Sequence, residues 1–201
     1  MTSSSLTSLR VAIVGAGPAG IYAGNILTRA VTDAGGTVAI DLFDSLPAPY
    51  GLIRYGVAPD HPRIKGIVDS LHEMLDTGVT RFIGNVEVGS DIALDELQAR
   101  YDAVILATGA LRDAPLDIPG IDLPGSYGAA DFVAWYDGHP DVPREWPLDE
   151  REVAVIGNGN VALDVARVLA KHADDLLSTE VPDNVYQGLK ASAITDVHVF
   201  G

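Results

Sequence analysis

An α/β protein assembled twice from one motif is the fold this sequence predicts, and three observations predict it. Uninterrupted apolar runs, Val11–Val14 and Ala103–Ala107 among them, read as strands buried on both faces of a parallel sheet. Glycine-rich turns follow two such runs: G-x-G-x-x-G at Gly15, Gly17 and Gly20, and G-x-G-x-x-A from Gly157 to Ala162. Each turn opens into a stretch with helical apolar spacing.

The first motif sets the pattern. A helix is expected from Pro18 to about Ala34, with Ala19, Ala23, Ile26, Leu27 and Ala30 as its apolar stripe. Gly15 permits the tight turn out of the strand, Gly17 lets backbone approach a pyrophosphate, and Gly20 lets helix and strand pack closely. The amides that open such a helix lack intrahelical partners, so a diphosphate fits there. A second strand, Thr37–Phe43, should end in an acid that accepts ribose hydroxyls, and Asp44 stands there. Asp41 is a rival, but it falls inside the strand.

A long loop follows, rich in Pro, Gly and aromatics, between Asp44 and Ile64. Loops of that length tend to be functional. Asp60, His61 and Pro62 read as a turn into a helix from Ile64 to about Leu75; His61 caps that turn or meets a ligand. Thr80–Ile83 and Val86–Val88 read as short strands, Ala93–Arg100 as a helix, and Ala103–Ala107 as a buried strand ending at Thr108 and Gly109.

Residues 110–150 are rich in proline and acids and read as a connection, with one helical segment at Ala129–Tyr136. The opening pattern then returns as a buried strand, Val153–Ile156, the second glycine turn, and a helix from Val161 to about Lys171. A helix near Asn184–Ala191 and a strand at Asp196–Phe200 close the chain. The two turns are too far apart for one βαβ unit and suit two dinucleotide sites. Stopping on an internal strand is expected of the front portion of a larger protein.

Composition narrows the functional classes. The 201 residues carry a formal net charge of −15 and no cysteine. That charge argues against nucleic acid, because no basic stripe is present to replace phosphate counterions. Residues 113–201 are far more acidic than residues 1–112. Without cysteine there is no disulfide, thiolate metal site or redox C-x-x-C, and no metal site is expected. The opening MTSSSLTS lacks the basic flank and apolar core of a signal peptide, and no apolar run suits a transmembrane segment. A cytoplasmic location is expected.

Taken together, VAIVGAGPAG, PYGLIRYGVAPDHPRIK, FIGNVEVG, YDAVILATGA, DIPG-x-DLPG and VAVIGNGNVALDVARVLA resemble ferredoxin–NADP reductases of the adrenodoxin-reductase type, from about Leu9 to Gly201. The resemblance implies a flavoprotein oxidoreductase that passes electrons from NADPH through FAD to a ferredoxin, an iron–sulfur protein. It implies an FAD/NAD(P)-binding Rossmann-like domain of glutathione-reductase type over 1–110. Residues 111–201 would then be a linker and the start of a second, incomplete Rossmann-like NADP domain. Carried over by motif, Gly15, Gly17, Ala19 and Gly20 hold the FAD pyrophosphate and Asp44 the adenosine ribose. This last position is commonly Glu in the family, so the hydroxyls must sit closer to the shorter Asp. Leu52 and Val88 contact FAD through backbone, and Thr108 and Gly109 pass near it. Gly157, Asn158, Gly159, Asn160 and Val161 receive the NADP pyrophosphate. His61 lies toward flavin and nicotinamide, and no residue is assigned as certainly catalytic.

The same resemblance implies gaps. The paired arginines that select NADP over NAD, the segment closing the flavin site and most of a basic ferredoxin-docking face belong beyond Gly201. A fragment that binds FAD weakly and lacks turnover is therefore expected. Two other readings stand beside the leading one: an NAD(P)H flavoprotein with a different acceptor, and a non-catalytic nucleotide-binding fragment.

Overall fold

The computed structural model describes residues 8–110 and 112–201; the start of the MTSSSLTS stretch and Leu111, at the expected domain boundary, lie outside the described residues. The chain divides into two compact units, Met1–Arg54 with Gly66–Ala110, and Tyr55–Lys65 with Leu111–Gly201.

In the first unit, β1 (Leu9–Val14), β2 (Val38–Phe43), β3 (Thr80–Ile83) and β4 (Ala103–Leu106) form a parallel sheet in the order β3-β2-β1-β4. Strand alternation sends β1 side chains to both faces. Val11 and Ile13 join Ile21 of α1 (Pro18–Asp33) and Leu71 of α4 (Ile67–Leu75) in one apolar cluster. Ala12 and Val14 join Leu97 of α5 (Leu94–Arg100) in the other. Full burial of a side chain such as Ile13 or Leu42 stabilises by about 1.5–3 kcal/mol. Val14 pairs with both Phe43 and Leu106, so three strands finish level at one edge. The first glycine turn leaves from that edge, as ligand-binding turns do in open α/β sheets.

Asp41 points to the α5 face of this sheet. Its carboxylate accepts from Arg81 through Nε (2.8 Å) and Nη2 (3.0 Å), and from the Tyr101 hydroxyl (2.6 Å). Burial opposes its ionisation, but the Arg81 and Tyr101 hydrogen bonds win and hold its pKa below the ordinary value. Asp41 is committed to the sheet, which leaves Asp44 as the acid at the strand's end.

In the second unit, β5 (Glu152–Ile156) pairs in parallel with β6 (Asp196–Phe200), Val155 opposite Val199. α7 (Asn160–Ala170) follows the second glycine turn, and a 3₁₀ turn (Ala173–Leu176) and α8 (Asp183–Ala191) follow it. The core joins Val165 and Val168 of α7 to Phe132, Trp135 and Tyr136 of α6 (Ala129–Tyr136). Ala58, from the long loop, is fully buried in that core.

Several expectations are corrected. The long loop is not wholly irregular, since α2 (Leu52–Tyr55) and α3 (Pro62–Lys65) lie in or just beyond it. The helix expected from Ile64 breaks at Gly66, the N-cap of α4, and Lys65 just before it is buried. Val86–Val88 is no strand: Val88 forms a single bridge with Ile92. The Asn85 and Val86 amides instead donate to the carbonyls of Leu46 (3.2 Å) and Asp44 (3.0 Å), bending the chain around the end of β2. Two strands expected to be buried are not: β4 is an edge strand and leaves Leu106 62% exposed, and β5, paired only with β6 among the described residues, buries Val155 alone and leaves Ile156 exposed. The 3₁₀ turn was absent from the expected elements; four residues are too few to carry a periodic signal.

Candidate functional site

The first glycine turn divides its steric work unequally. Gly15 has φ +106°, a conformation L side chains avoid. A methyl group there would run into the Ala107 carbonyl, and one at Gly20 into the Gly15 carbonyl oxygen. Both glycines are demanded by the fold. At Gly17 the nearest atom to such a methyl is the Gly51 Cα, 3.9 Å away, an ordinary contact. Nothing in the packing requires glycine at position 17.

The second turn repeats this division. Gly157 has φ +118°, and a methyl built on it would lie 3.6 Å from the Ala162 Cβ. At Gly159 nothing lies within 4 Å. Asn158, Gly159, Asn160 and Val161 are all exposed. In each turn, then, the second glycine is the one the fold does not need, and it is where a pyrophosphate would approach the backbone.

Both helices open without competing groups. Gly17 and Gly159 are the N-caps of α1 and α7, neither has a side-chain cap, and neither first turn carries an acid. α5 differs, with Asp95 and Glu96 in its first turn. The first intrahelical bonds are Ile21 N–H to the Gly17 carbonyl (3.1 Å) and Leu163 N–H to the Gly159 carbonyl (3.0 Å). The amides of Ala19 and Gly20, and of Asn160 and Val161, precede them and have no acceptor within their helices. Aligned peptide dipoles favour an anion at both places.

Asp44 reaches back to the first turn. Its Oδ2 accepts from the Ala16 amide (2.7 Å) and its Oδ1 from the Leu46 amide (2.9 Å). Each carboxylate oxygen keeps a further lone pair. Tyr50 N–H donates to the Ala16 carbonyl (2.8 Å), so both backbone groups of Ala16 are satisfied. Thr108 and Gly109 follow β4 in exposed positions, Leu52 opens α2 with an exposed side chain, and Val88 sits half-buried in its bridge.

His61 is carried into the second unit, onto the flank of α7. Its backbone supports the turn expected of it, the carbonyl accepting from Ile64 and Lys65 (both 3.1 Å). Its ring does something else: Nε2 lies 2.9 Å from Asp164 Oδ1 and 3.1 Å from Arg167 Nη2. Arg167 also donates to Asp164 (2.7 Å) and, through Nε and Nη2, to Asp60 (2.9 and 2.8 Å); Lys171 donates to Asp60 as well (2.8 Å). These hydrogen bonds, Arg167's first, drive the buried Asp60 carboxyl far below the ordinary carboxylate pKa. Asp60, Asp164, Arg167 and Lys171 were not among the expected site residues. The spacing of 164, 167 and 171 as one polar helix face was legible, but its partner on a remote loop was not.

Replacing Asp60 with Ala would leave Lys171 without that acid and Arg167 with Asp164 alone. A loss of about 2–4 kcal/mol is expected, tempered by the partial exposure of Arg167 and Lys171. Urea unfolding at pH 7 checks it; a change under 0.5 kcal/mol would show the cluster to be decorative. Among the described residues no group of three or more His, Asp or Glu is placed to hold a metal ion, and no helix is long and apolar enough to cross a membrane.

Residues 9–197 match the model of the pyridine nucleotide-disulphide oxidoreductase family. The NADPH-ferredoxin reductase FprA of Mycobacterium leprae is 46% identical over 193 residues, covering 95% of this chain and 42% of that protein. The mitochondrial NADPH:adrenodoxin oxidoreductase of Arabidopsis thaliana is 44% identical, over all of this chain and 41% of that protein. The solved structure of Mycobacterium tuberculosis FprA in complex with NADPH superposes with a TM-score of 0.89 at 44% identity, over 96% of this chain and 43% of that one. The chain thus spans about two fifths of the length of the relatives it matches.

Proposed function

The chain belongs to the pyridine nucleotide-disulphide oxidoreductase family, and from that premise we propose that it supplies the two dinucleotide-binding turns of a flavoprotein that carries electrons from NADPH through FAD to a ferredoxin. The observation that carries the reading is the pair of second glycines, Gly17 and Gly159, which the packing does not require and which stand at two uncapped helix starts free of acids. FAD is assigned to the first turn, with Gly15, Gly17, Ala19 and Gly20 against its pyrophosphate and Asp44 toward the ribose. Leu52, Val88, Thr108 and Gly109 line the same site. NADP(H) is assigned to the second turn, Gly157–Val161. Bound together, the two cofactors supply the conversion of a two-electron donor into single-electron steps.

The chain's own part is placement. Uncapped amides neutralise diphosphate charge, Asp44 orients the turn through Ala16, and the Asp60–Arg167–Asp164 cluster fixes the His61 ring. The relatives named for ferredoxin and adrenodoxin support an iron–sulfur acceptor. The chain has no cysteine, so no redox-active disulfide of its own takes part. A cytoplasmic setting is consistent with that composition.

The test is NADPH-dependent reduction of a ferredoxin, followed by absorbance, for the 201-residue chain and for a full-length protein containing it. Turnover by the longer protein alone is the expected result; none from either contradicts the reading. Gly159→Ala should weaken NADPH binding about tenfold, because its methyl occupies space where the pyrophosphate approaches the backbone. The melting temperature should fall only by the small cost of an alanine N-cap, since the methyl meets no protein atom.

A further inference from the structure

Tyr50 is a non-glycine residue with left-handed backbone, at φ +90°. For a bulky side chain that conformation costs on the order of 1–3 kcal/mol, and it persists only where surroundings enforce it. Here they do, within the first unit alone. The ring is buried. The Tyr50 hydroxyl lies 3.1 Å from His72 Nδ1 on α4, and His72 Nε2 lies 3.2 Å from Asp76 Oδ2. In the tautomer with its proton on Nε2, His72 accepts from Tyr50 and donates to Asp76, so both bonds are met at once. On the other side, the Arg54 guanidinium sits 5.4 Å from the Tyr50 ring centroid and donates through Nε to the Pro49 carbonyl (3.2 Å).

The bend this enforces faces the first glycine turn. Tyr50 N–H holds the Ala16 carbonyl. Gly51 follows so closely that a methyl on it would come within 2.9 Å of the Gly17 Cα. The backbone entering Leu52 is thereby laid against the glycine that packing does not otherwise require.

We propose that the Tyr50–His72 hydrogen bond, backed by Asp76, is a brace that holds the bent Tyr50–Gly51 backbone against the first glycine turn and so sets how tightly that turn binds a dinucleotide. The proposal rests on the assignment of FAD to that turn. Tyr50 is a positioning residue here, acting through backbone it does not share with the ligand. His72 is largely exposed, so its loss should cost the fold little while loosening the turn.

The test uses the 201-residue chain and its Tyr50→Phe, His72→Ala, His72→Gln and doubly substituted Tyr50→Phe/His72→Ala variants, with FAD affinity read from quenching of flavin fluorescence. Tyr50→Phe and His72→Ala should each weaken FAD binding fivefold to tenfold, the worth of one hydrogen bond. The double variant should be no weaker than either single one, and His72→Gln, which keeps an acceptor, should recover most of the affinity. NADP+ affinity should stay unchanged, and the Gly17 and Gly51 amide resonances of the ligand-free chain should shift in both single variants. FAD affinity within twofold of the parent in Tyr50→Phe, or additive losses in the double variant, would overturn the brace. A parent chain that takes up no FAD would sink the assignment of the turn and the affinity claim together. Still amide resonances in the variants would sink the brace alone.

Discussion

Replacing Gly20 with alanine is expected to unfold the first unit. The new methyl group would enter the Gly15 carbonyl oxygen, with the Ile13 side chain 3.3 Å away on the same side. Neither obstacle can yield cheaply, because Gly15 belongs to backbone pinned by its own amide to the Phe43 carbonyl (2.8 Å), and Ile13 is fully buried. Overpacking by one methyl usually costs about 1–3 kcal/mol, and more where backbone must move. Against the marginal stability of a small domain that is enough to populate the unfolded unit. Gly17→Ala is the matched control, since its methyl makes only an ordinary contact. Amide exchange in β1 and β2 separates the two: protection lost in Gly20→Ala and kept in Gly17→Ala is the expected result. Equal protection in both would mean that the third glycine is not a packing requirement.

The second large effect belongs to Asp137, at the C-cap of α6. Its side chain is 1% exposed, Oδ1 lies 3.4 Å from Lys65 Nζ, and Oδ2 has no hydrogen-bond partner among the described residues. Burial pushes its pKa up to about 8; Lys65 opposes the rise, and Glu180 and Asp164 add to it. An unfolded Asp ionises near pH 4, whereas the folded one holds its proton until about 8. Its favourable contribution is therefore complete below pH 4 and is lost as pH climbs to about 8, with a slope approaching about 1.4 kcal/mol per pH unit. Asp60 behaves oppositely and in a separate window. Its lowered pKa makes its contribution full above about pH 4 and lost only in stronger acid. Both tryptophans, Trp135 and Trp146, lie in the second unit, so their fluorescence reports its melting. The parent melt should fall between pH 5 and 8, and that of Asp137→Asn should stay nearly flat and exceed it at pH 8. Identical slopes in the two proteins would remove Asp137 as the cause.

What the sequence could reveal follows from the range of each interaction. The bounds of β1, α1, β2, α6, β5 and α7 were legible within a residue or two, because apolar runs and glycine turns are local patterns. The face of α1 was not, since it buries Gly20, Ile21 and Gly24 and leaves Ala19, Ile26 and Ala30 of the expected stripe exposed. Asp41, the rival to Asp44, lies inside the strand by sequence, and what its carboxylate binds there, Arg81 and Tyr101, was not legible. Val86–Val88 looked like a strand because β-branched residues suit one, but no neighbouring strand takes up its amides. The break at Gly66 was hidden by the helical spacing of Ile64, Ile67, Val68, Leu71 and Leu75, which runs straight through it. Least legible were the pairs that span the sequence. Nothing local in Asp60 or Lys65 indicates that Arg167 or Asp137 will meet it. The same holds for Tyr50, whose left-handed backbone is set by contacts to residues 16, 54 and 72.

The central claim is that two separate turns each take the diphosphate of a different dinucleotide. It is tested most directly by amide spectra of the ¹⁵N-labelled chain, titrated first with FAD and then with NADP+. FAD should move the resonances of Gly17, Ala19 and Gly20, and NADP+ those of Gly159, Asn160 and Val161, with little crossover. Both ligands moving one set, or neither set moving, would contradict it.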